Sequence, residues 1–167
     1  MRISRDEMFL RVAEVVAERG TCLRATVGAV IVRGGRIISI GYNGAPPGQP
    51  HCEDVGCDVP LKSAGCVRAI HAETNAIIWA AREGISTDRA AMYCTHSPCV
   101  SCAVAVVVSG ISGYYYLYDY RDPAGLKILY DSGVEYDKVD LNGTRYPTDA
   151  EDSESVSGSA DHSGHTD

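Results

Sequence analysis

The sequence predicts an α/β fold in which a mixed five-stranded sheet lies between two layers of helices. Three observations predict it: an apolar hairpin near the start, three later strands at wider spacing, and helical segments that separate those strands. Strands that alternate with helices pair in parallel, because each helix carries the chain back across the sheet. A length of 167 residues, 45% of them hydrophobic, suits one domain with a sizeable core.

The first half of the chain contains one helix, the hairpin and a long loop. Helical spacing of apolar residues predicts a helix over residues 4–18, and Gly20 stops it. Residues 27–32 and 36–42 predict two strands joined by a glycine-containing turn. The loop over residues 43–66 is rich in Gly, Pro and Cys. Loops of this length inside a compact domain are usually functional or held by something, and cysteines would hold this one.

After the loop the chain alternates between helix and strand. The predicted elements are a helix over 71–82, a strand over 91–95, a helix over 99–108, a strand over 113–119, a helix over 123–132 and a strand over 134–140. Ser97 and Pro98 predict the N-cap and first turn of the middle helix, because both residue types favour helix starts.

The net charge of −7 comes mostly from one end of the chain. Residues 148–167 hold six of the 22 acidic residues and no Lys or Arg, so residues 1–147 keep 16 acidic residues against 15 basic ones. With almost no apolar residue, residues 148–167 are predicted to form a disordered acidic tail behind a single domain over 1–147. A near-neutral domain lacks the basic face of a nucleic-acid binder.

The sequence shows no targeting segment and no membrane span. Its start, MRISRDEMFL, has no apolar run of signal-peptide length, and no later stretch is long enough to cross a bilayer. The expected location is therefore the cytoplasm. In that compartment seven cysteines favour metal binding or core packing over disulfides. Cys94, inside a predicted strand, is expected to be a core residue.

Two short motifs carry the strongest chemical signal: HAE, which begins at His71, and PCVSC, which ends at Cys102. Cys99 and Cys102 stand three residues apart on a predicted helix, so they face the same side. With His71 they leave a tetrahedral Zn²⁺ one open position for water, which a catalytic zinc needs. Glu73 is the kind of carboxylate that moves protons beside such a water. Together the motifs form H-x-E…P-C-x-x-C, the signature of zinc-dependent nucleobase deaminases.

A structural zinc, held by the same three residues and a fourth ligand, is the alternative for this site. Such a site needs no glutamate two residues beyond the histidine, so Glu73 favours catalysis. Glu73 is therefore the predicted catalytic residue, and His71, Cys99 and Cys102 are the predicted ligands of the catalytic zinc.

From about Val27 to about Asp140 the chain resembles the deoxycytidylate (dCMP) deaminases of the cytidine deaminase-like superfamily. The matching segments are VGAVIV, GYNG, HAETNAI, THSPCVSCA and YRD. Adenosine deaminases that act on tRNA are similar but have Glu immediately before Pro-Cys, where this chain has Ser97. The resemblance implies the three-layer deaminase fold and hydrolysis of dCMP to dUMP and ammonia, which feeds thymidylate synthesis. It also implies a homo-oligomer, commonly a hexamer.

The resemblance also names residues that hold the nucleotide. Asn43 of GYNG and Tyr120 of YRD are expected to bind the substrate, and Arg24 is a candidate phosphate contact, since a guanidinium binds phosphate in a bidentate manner. Each has a simpler alternative. Asn43 suits a turn, Tyr120 suits the end of an aromatic strand, and Arg24 suits a solvated surface.

A second, structural zinc is implied for the long loop, because some bacterial and phage dCMP deaminases carry one there. Its expected ligands are Cys22, Cys52, Cys57 and Cys66, with His51 as a replacement for one cysteine. The spacing is less regular than paired C-x-x-C motifs, so scattered buried thiols remain the alternative.

Regulation is the last property that the resemblance implies. The family is often activated by dCTP and inhibited by dTTP, usually with Mg²⁺, at sites between subunits. Trp79 and Arg82 match positions that couple effector binding to the active site in relatives, and Asn43 is implicated as well. The alternative for Trp79 is a core position, which is common for a helical tryptophan.

Three other functions compete with dCMP deamination. A deaminase of a 5-substituted dCMP or of another cytosine nucleotide would differ only in pocket shape around the base. A deaminase of tRNA or single-stranded DNA would need a basic surface, which the near-neutral domain does not predict. A non-catalytic zinc-binding partner would not need Glu73.

Overall fold

The computed structural model describes residues 2–60 and 66–147. The helices in these ranges are α1 (Arg5–Ala17), α2 (Cys52–Val55), α3 (Ala72–Arg82), α4 (Val100–Val108) and α5 (Ala124–Asp131). The strands are β1 (Gly28–Arg33), β2 (Arg36–Tyr42), β3 (Ala91–His96), β4 (Gly113–Tyr118), β5 (Glu135–Val139) and β6 (Arg145–Pro147). The predicted acidic tail, residues 148–167, lies outside the described residues.

All of these strands form one mixed sheet in the order β2-β1-β3-β4-β5-β6. β1 pairs antiparallel with β2 and β3, while β3, β4 and β5 run parallel. The sixth strand, β6, pairs antiparallel with β5 and is one more than the sequence predicted. Its three residues are too few to show a strand pattern. Arg145 fixes it through ion pairs to Asp6, Glu135 and Asp137.

Helices cover both faces of the sheet, which confirms the predicted three layers. On one face α1 packs against the sheet, and Phe9 contacts Tyr93 with ring centroids 5.0 Å apart. α3, α4 and α5 cover the other face, where Tyr114 and Tyr116 of β4 are fully buried. Cys94 points to the same face as these tyrosines and is fully buried, as expected of a core residue.

Two glycines let helices approach the hairpin closely. A methyl group at Gly41 of β2 would lie 2.3 Å from the Ala72 carbonyl oxygen of α3, and one at Gly28 of β1 would lie 2.0 Å from the Ala13 carbonyl oxygen of α1. Both distances are far below van der Waals contact, so these packings exclude any side chain. Gly41 therefore fixes where α3 begins relative to the sheet.

None of the helices in the described ranges is both long enough and apolar enough to span a bilayer.

Candidate active site

The two motifs both place their ligands where helices begin. His71 is the N-cap of α3 and Cys99 is the N-cap of α4, while Cys102 follows in the first turn of α4. The predicted N-cap at Ser97 is wrong. Ser97 lies two residues before the N-cap, and its hydroxyl accepts a hydrogen bond from the backbone N–H of Tyr120 at 2.7 Å.

The three predicted ligands converge on one point. The Nδ1 atom of His71 lies 3.3 Å from the sulfur of Cys99 and 3.3 Å from the sulfur of Cys102. All three ligand atoms lie within 4.8 Å of one another. A tetrahedral zinc with its usual bond lengths would separate nitrogen and sulfur by about 3.6 Å. The cluster therefore fits a zinc ion.

The surroundings of Cys99 and Cys102 also favour a bound cation. Hydrogen bonds shared first with Cys102 and then with His71 lower the pKa of the Cys99 thiol to about 3. The same shared hydrogen bond, together with burial, raises the pKa of Cys102. The two sulfurs thus share a hydrogen bond at the N-terminus of α4. A metal ion that binds there displaces the thiol protons, and both sulfurs then become thiolate ligands.

Glu73 lies in the first turn of α3 and is 4% exposed. Burial raises the pKa of its carboxyl above the ordinary value. A carboxyl with a raised pKa takes up a proton more readily than an exposed one, which suits a group that must accept and return protons. Its Oε1 atom lies 3.4 Å from the hydroxyl of Tyr114, a residue that the sequence analysis did not single out.

Two of the ligands, His71 and Cys99, line a pocket of about 310 Å³ together with Glu73, and this size suits a small molecule. The three residues predicted to hold the nucleotide, Asn43, Tyr120 and Arg24, also line it. His96, Asp119 and Arg121 also line the pocket and were not predicted as site residues. His96 lies inside the THSPC motif and Arg121 inside YRD, so the motifs themselves were the available signal for these two residues.

Asn43 is a buried, hydrogen-bonded residue rather than an exposed turn residue. Its side chain is 7% exposed, and its Oδ1 accepts a hydrogen bond from the Val27 N–H at 2.8 Å. Its Nδ2 donates to the Ala25 carbonyl oxygen at 2.7 Å. Asn43 therefore holds the segment that follows Arg24 against the end of β2, besides lining the pocket.

A sequence model of the cytidine and deoxycytidylate deaminase zinc-binding region matches residues 3–118. The chain belongs to this family. The match covers both ligand motifs, so the His71, Cys99 and Cys102 cluster stands in the zinc-binding region of a deaminase.

Relatives within the family extend over most of the chain. ComE operon protein 2 of Bacillus subtilis is 40% identical over 142 residues, which are 84% of this chain and 74% of that protein. The deoxycytidylate deaminase of Saccharomyces cerevisiae is 37% identical over 139 residues, which cover 80% of this chain but 44% of the yeast protein. A crystal structure of the dCMP deaminase of cyanophage S-TIM5 with dCMP and dUMP superposes with a TM-score of 0.74 at 32% identity. The superposed region covers 83% of this chain and 99% of the phage protein.

The cysteines expected to form a second zinc site are only partly brought together. The sulfurs of Cys52, Cys57 and Cys66 lie within 4.8 Å of one another, and Cys52 and Cys66 are 3.7 Å apart. Cys22 is outside this group and lines the deaminase pocket, which Cys66 also lines. His51 is outside the group as well, and its Nδ1 lies 3.0 Å from the Thr21 hydroxyl.

The cluster of Cys52, Cys57 and Cys66 differs from scattered buried thiols, because the pKa values of two of its thiols are shifted in opposite directions. Burial, followed by hydrogen bonds to Cys66 and Cys57, raises the pKa of Cys52 to about 12. Burial opposes ionisation of Cys66 too, but backbone N–H groups of Arg68 and Ala69 outweigh it and lower its pKa. A sulfur that accepts backbone N–H bonds is prepared to be a thiolate.

Trp79 and Arg82, the residues expected to respond to effectors, form one exposed pair. Trp79 is 41% exposed, so the alternative of a core position is wrong. The Arg82 guanidinium carbon lies 4.7 Å from the centre of the Trp79 ring, within cation–π distance. The pair lies at the C-terminal end of α3, whose N-terminal end carries His71 and Glu73.

Proposed function

We propose that this chain is a zinc-dependent hydrolase that converts dCMP to dUMP and ammonia. The observation that carries the proposal is the cluster of His71, Cys99 and Cys102, which opens into a pocket that the buried Glu73 also lines. A structural zinc would gain nothing from a buried acid in that position. The S-TIM5 dCMP deaminase, which was solved with both dCMP and dUMP, shares this fold and supports the choice of substrate.

Each residue then has a defined task. His71, Cys99 and Cys102 hold Zn²⁺, which supplies Lewis-acid activation of the attacking water. Glu73 takes one proton from that water and gives it to the ring nitrogen beside the amine-bearing carbon. A second proton passes through Glu73 to the amine, which leaves as ammonia. Water adds and ammonia departs, so the base becomes uracil with no redox change.

The pocket also contains groups suited to the rest of a nucleotide. Arg24 and Arg121 both line it, and a guanidinium binds a phosphate through two parallel N–H donors. Tyr120 and Asn43 line the same pocket. We assign Arg24 and Arg121 to the 5′-phosphate and Tyr120 to the sugar or base, while Asn43 acts mainly by holding the Arg24 segment.

The reaction is tested directly by following dUMP and ammonia formation from dCMP. Turnover should stop when a chelator removes zinc and return when Zn²⁺ is added back. A panel that contains cytidine, deoxycytidine, dCMP and 5-substituted dCMP identifies the preferred base. Turnover that is unaffected by complete removal of zinc would exclude this mechanism.

We propose that Cys52, Cys57 and Cys66 bind a second, structural zinc, with Cys22 as the fourth ligand. Cys22 and Cys66 line the same pocket, which supports an approach of Cys22 by side-chain movement. Metal binding would order a loop that is too polar and too rich in Gly and Pro to pack by itself.

The zinc content of purified variants tests this second site. The wild-type chain should carry about two zinc ions, and Cys57→Ser should carry about one and melt at a lower temperature. Cys22→Ser should lose the same ion if Cys22 is its fourth ligand. Cys94→Ala is the control, because Cys94 lies in the core, and it should keep both ions. One zinc per wild-type chain would rule the second site out.

Finally, we propose that the enzyme is a homo-oligomer, commonly a hexamer in its family, that feeds thymidylate synthesis. Activation by dCTP and inhibition by dTTP with Mg²⁺ would act through Trp79 and Arg82. The exposed stacking of this pair at the far end of α3 from Glu73 supports that role. A sigmoidal dependence of rate on dCMP that dCTP makes hyperbolic would demonstrate the regulation, and Trp79→Ala should abolish it.

A further inference from the structure

Tyr114 of β4 brings a buried hydroxyl to the proposed catalytic acid. The residue is fully buried beneath α3, and its hydroxyl lies 3.4 Å from Oε1 of Glu73. The same hydroxyl donates a hydrogen bond of 2.8 Å to the carbonyl oxygen of His96, which ends β3 and lines the pocket. One phenol therefore bridges the acid and the pocket wall.

We propose that Tyr114 is a positioning residue that fixes the orientation of the Glu73 carboxyl in the pocket. This inference rests on the proposed deaminase function, because it gives a task to a contact of the proton carrier. A phenol has one proton to donate. That proton faces the His96 carbonyl oxygen at 2.8 Å and Oε1 of Glu73 at 3.4 Å, so one buried hydroxyl ties the carboxyl to the end of β3.

Packing holds the Tyr114 hydroxyl at both of these contacts. Tyr114 is fully buried in the core between the sheet and α3, so its ring has no room to turn away from Glu73 and His96. Burial also raises the pKa of the Tyr114 phenol well above its ordinary value, so the hydroxyl stays neutral and keeps its proton.

A neighbouring tyrosine provides a matched control. Tyr116 lies two residues further along β4, in the same core cluster, and is equally buried. Its hydroxyl has no hydrogen-bond partner in the part of the chain that the structure describes. Tyr114→Phe and Tyr116→Phe thus remove the same atom from similar surroundings, and only the first removes a contact with Glu73.

Steady-state kinetics of both variants, with melting temperature and zinc content as checks on folding, test the proposal. Tyr114→Phe should lower kcat roughly 10- to 100-fold, the effect of one hydrogen bond to a charged group, with little change in KM. Tyr116→Phe should match the wild type. A role through the pocket wall alone would raise KM instead, and that result, an unchanged kcat, or an equal loss in Tyr116→Phe would overturn the proposal.

A failure of the proposed function would look different from a failure of this inference. If the wild type turned over no dCMP but another cytosine nucleotide, the same comparison would be made with that substrate. If it turned over none, a crystal structure of Tyr114→Phe would decide. A Glu73 carboxyl that leaves its wild-type position or takes several rotamers supports the inference, and an unmoved carboxyl overturns it.

Discussion

Glu73 combines deep burial with a place beside three metal ligands. Burial disfavours the ionised carboxyl and raises its pKa, while a cation held by His71, Cys99 and Cys102 would pull that pKa down again. These opposing effects bring the two protonation states closer in free energy. A group that must take a proton from water and release it to the base works best in that balance.

Replacement of the acid by its amide tests the role of Glu73 alone. Glu73→Gln keeps the shape of the side chain but cannot carry a proton. Turnover of dCMP should fall by roughly 10² to 10⁴-fold or more, the usual effect of removing a general acid or base. Zinc content and melting temperature should stay near wild-type values. Near-normal turnover in this variant would show that another group moves the protons.

At the level of single residues the sequence predicted three side chains that converge in the structure, but it did not predict their neighbours. The spacing of His71, Cys99 and Cys102 is local information, because each motif sits on one helix start. Tyr114 could not be recognised, since its contact with Glu73 joins residues 41 positions apart in the chain. Such contacts depend on how β4 lies under α3, which no short motif encodes.

The elements of the fold explain why the motifs meet. α3 and α4 both begin on the same side of the sheet, with His71 and Cys99 as their N-caps. The close approach at Gly41 sets the position of α3, and that at Gly28 sets the position of α1 on the opposite face. The two glycines therefore make similar packing contacts, but only the α3 contact leads to the active site.

This difference predicts unequal effects of two similar substitutions. Gly41→Ala and Gly28→Ala each force a methyl group into a helix backbone and should each lower the free energy of unfolding by roughly 1–3 kcal/mol or more. At a temperature where both variants are folded, Gly41→Ala should lose more kcat/KM, because displacement of α3 moves His71 and Glu73. Equal losses of activity would mean that the position of α3 is not set by this contact.

Long elements were predicted from the sequence, and short ones were not. α1, α3, α4 and α5 follow apolar periodicity, so their predicted bounds agree with the structure to within about two residues. α2 and β6 have four and three residues, too few to show a period. The N-cap of α4 was misplaced because a Ser-Pro pair usually marks a helix start, whereas here Cys99 is the N-cap and the Ser97 hydroxyl accepts a hydrogen bond from the Tyr120 N–H.

On the scale of the whole molecule, the net charge is distributed unevenly along the sequence. Residues 148–167 supply most of the net charge of −7 and contain almost no apolar side chain. Nothing in their composition favours packing against the domain. We therefore expect the domain over 1–147 to fold and act by itself.

Deletion of residues 148–167 tests this division. The shortened chain should keep the melting temperature, oligomer size and dCMP turnover of the full chain, because the tail has no apolar surface with which to dock. Calorimetry, light scattering and steady-state kinetics on both proteins give the comparison. A clear fall in melting temperature or a changed oligomer size would show that the tail covers a subunit interface.

The central claim is that this pocket is built for a deoxycytidine 5′-monophosphate. Its most direct test is the ratio of kcat/KM for dCMP to that for deoxycytidine, measured with the zinc-loaded wild-type enzyme. Arg24 and Arg121 lose their partner when the phosphate is absent, so the ratio should be about 10² or more. A ratio near or below one would contradict the account and would leave a zinc deaminase whose substrate is not a nucleotide.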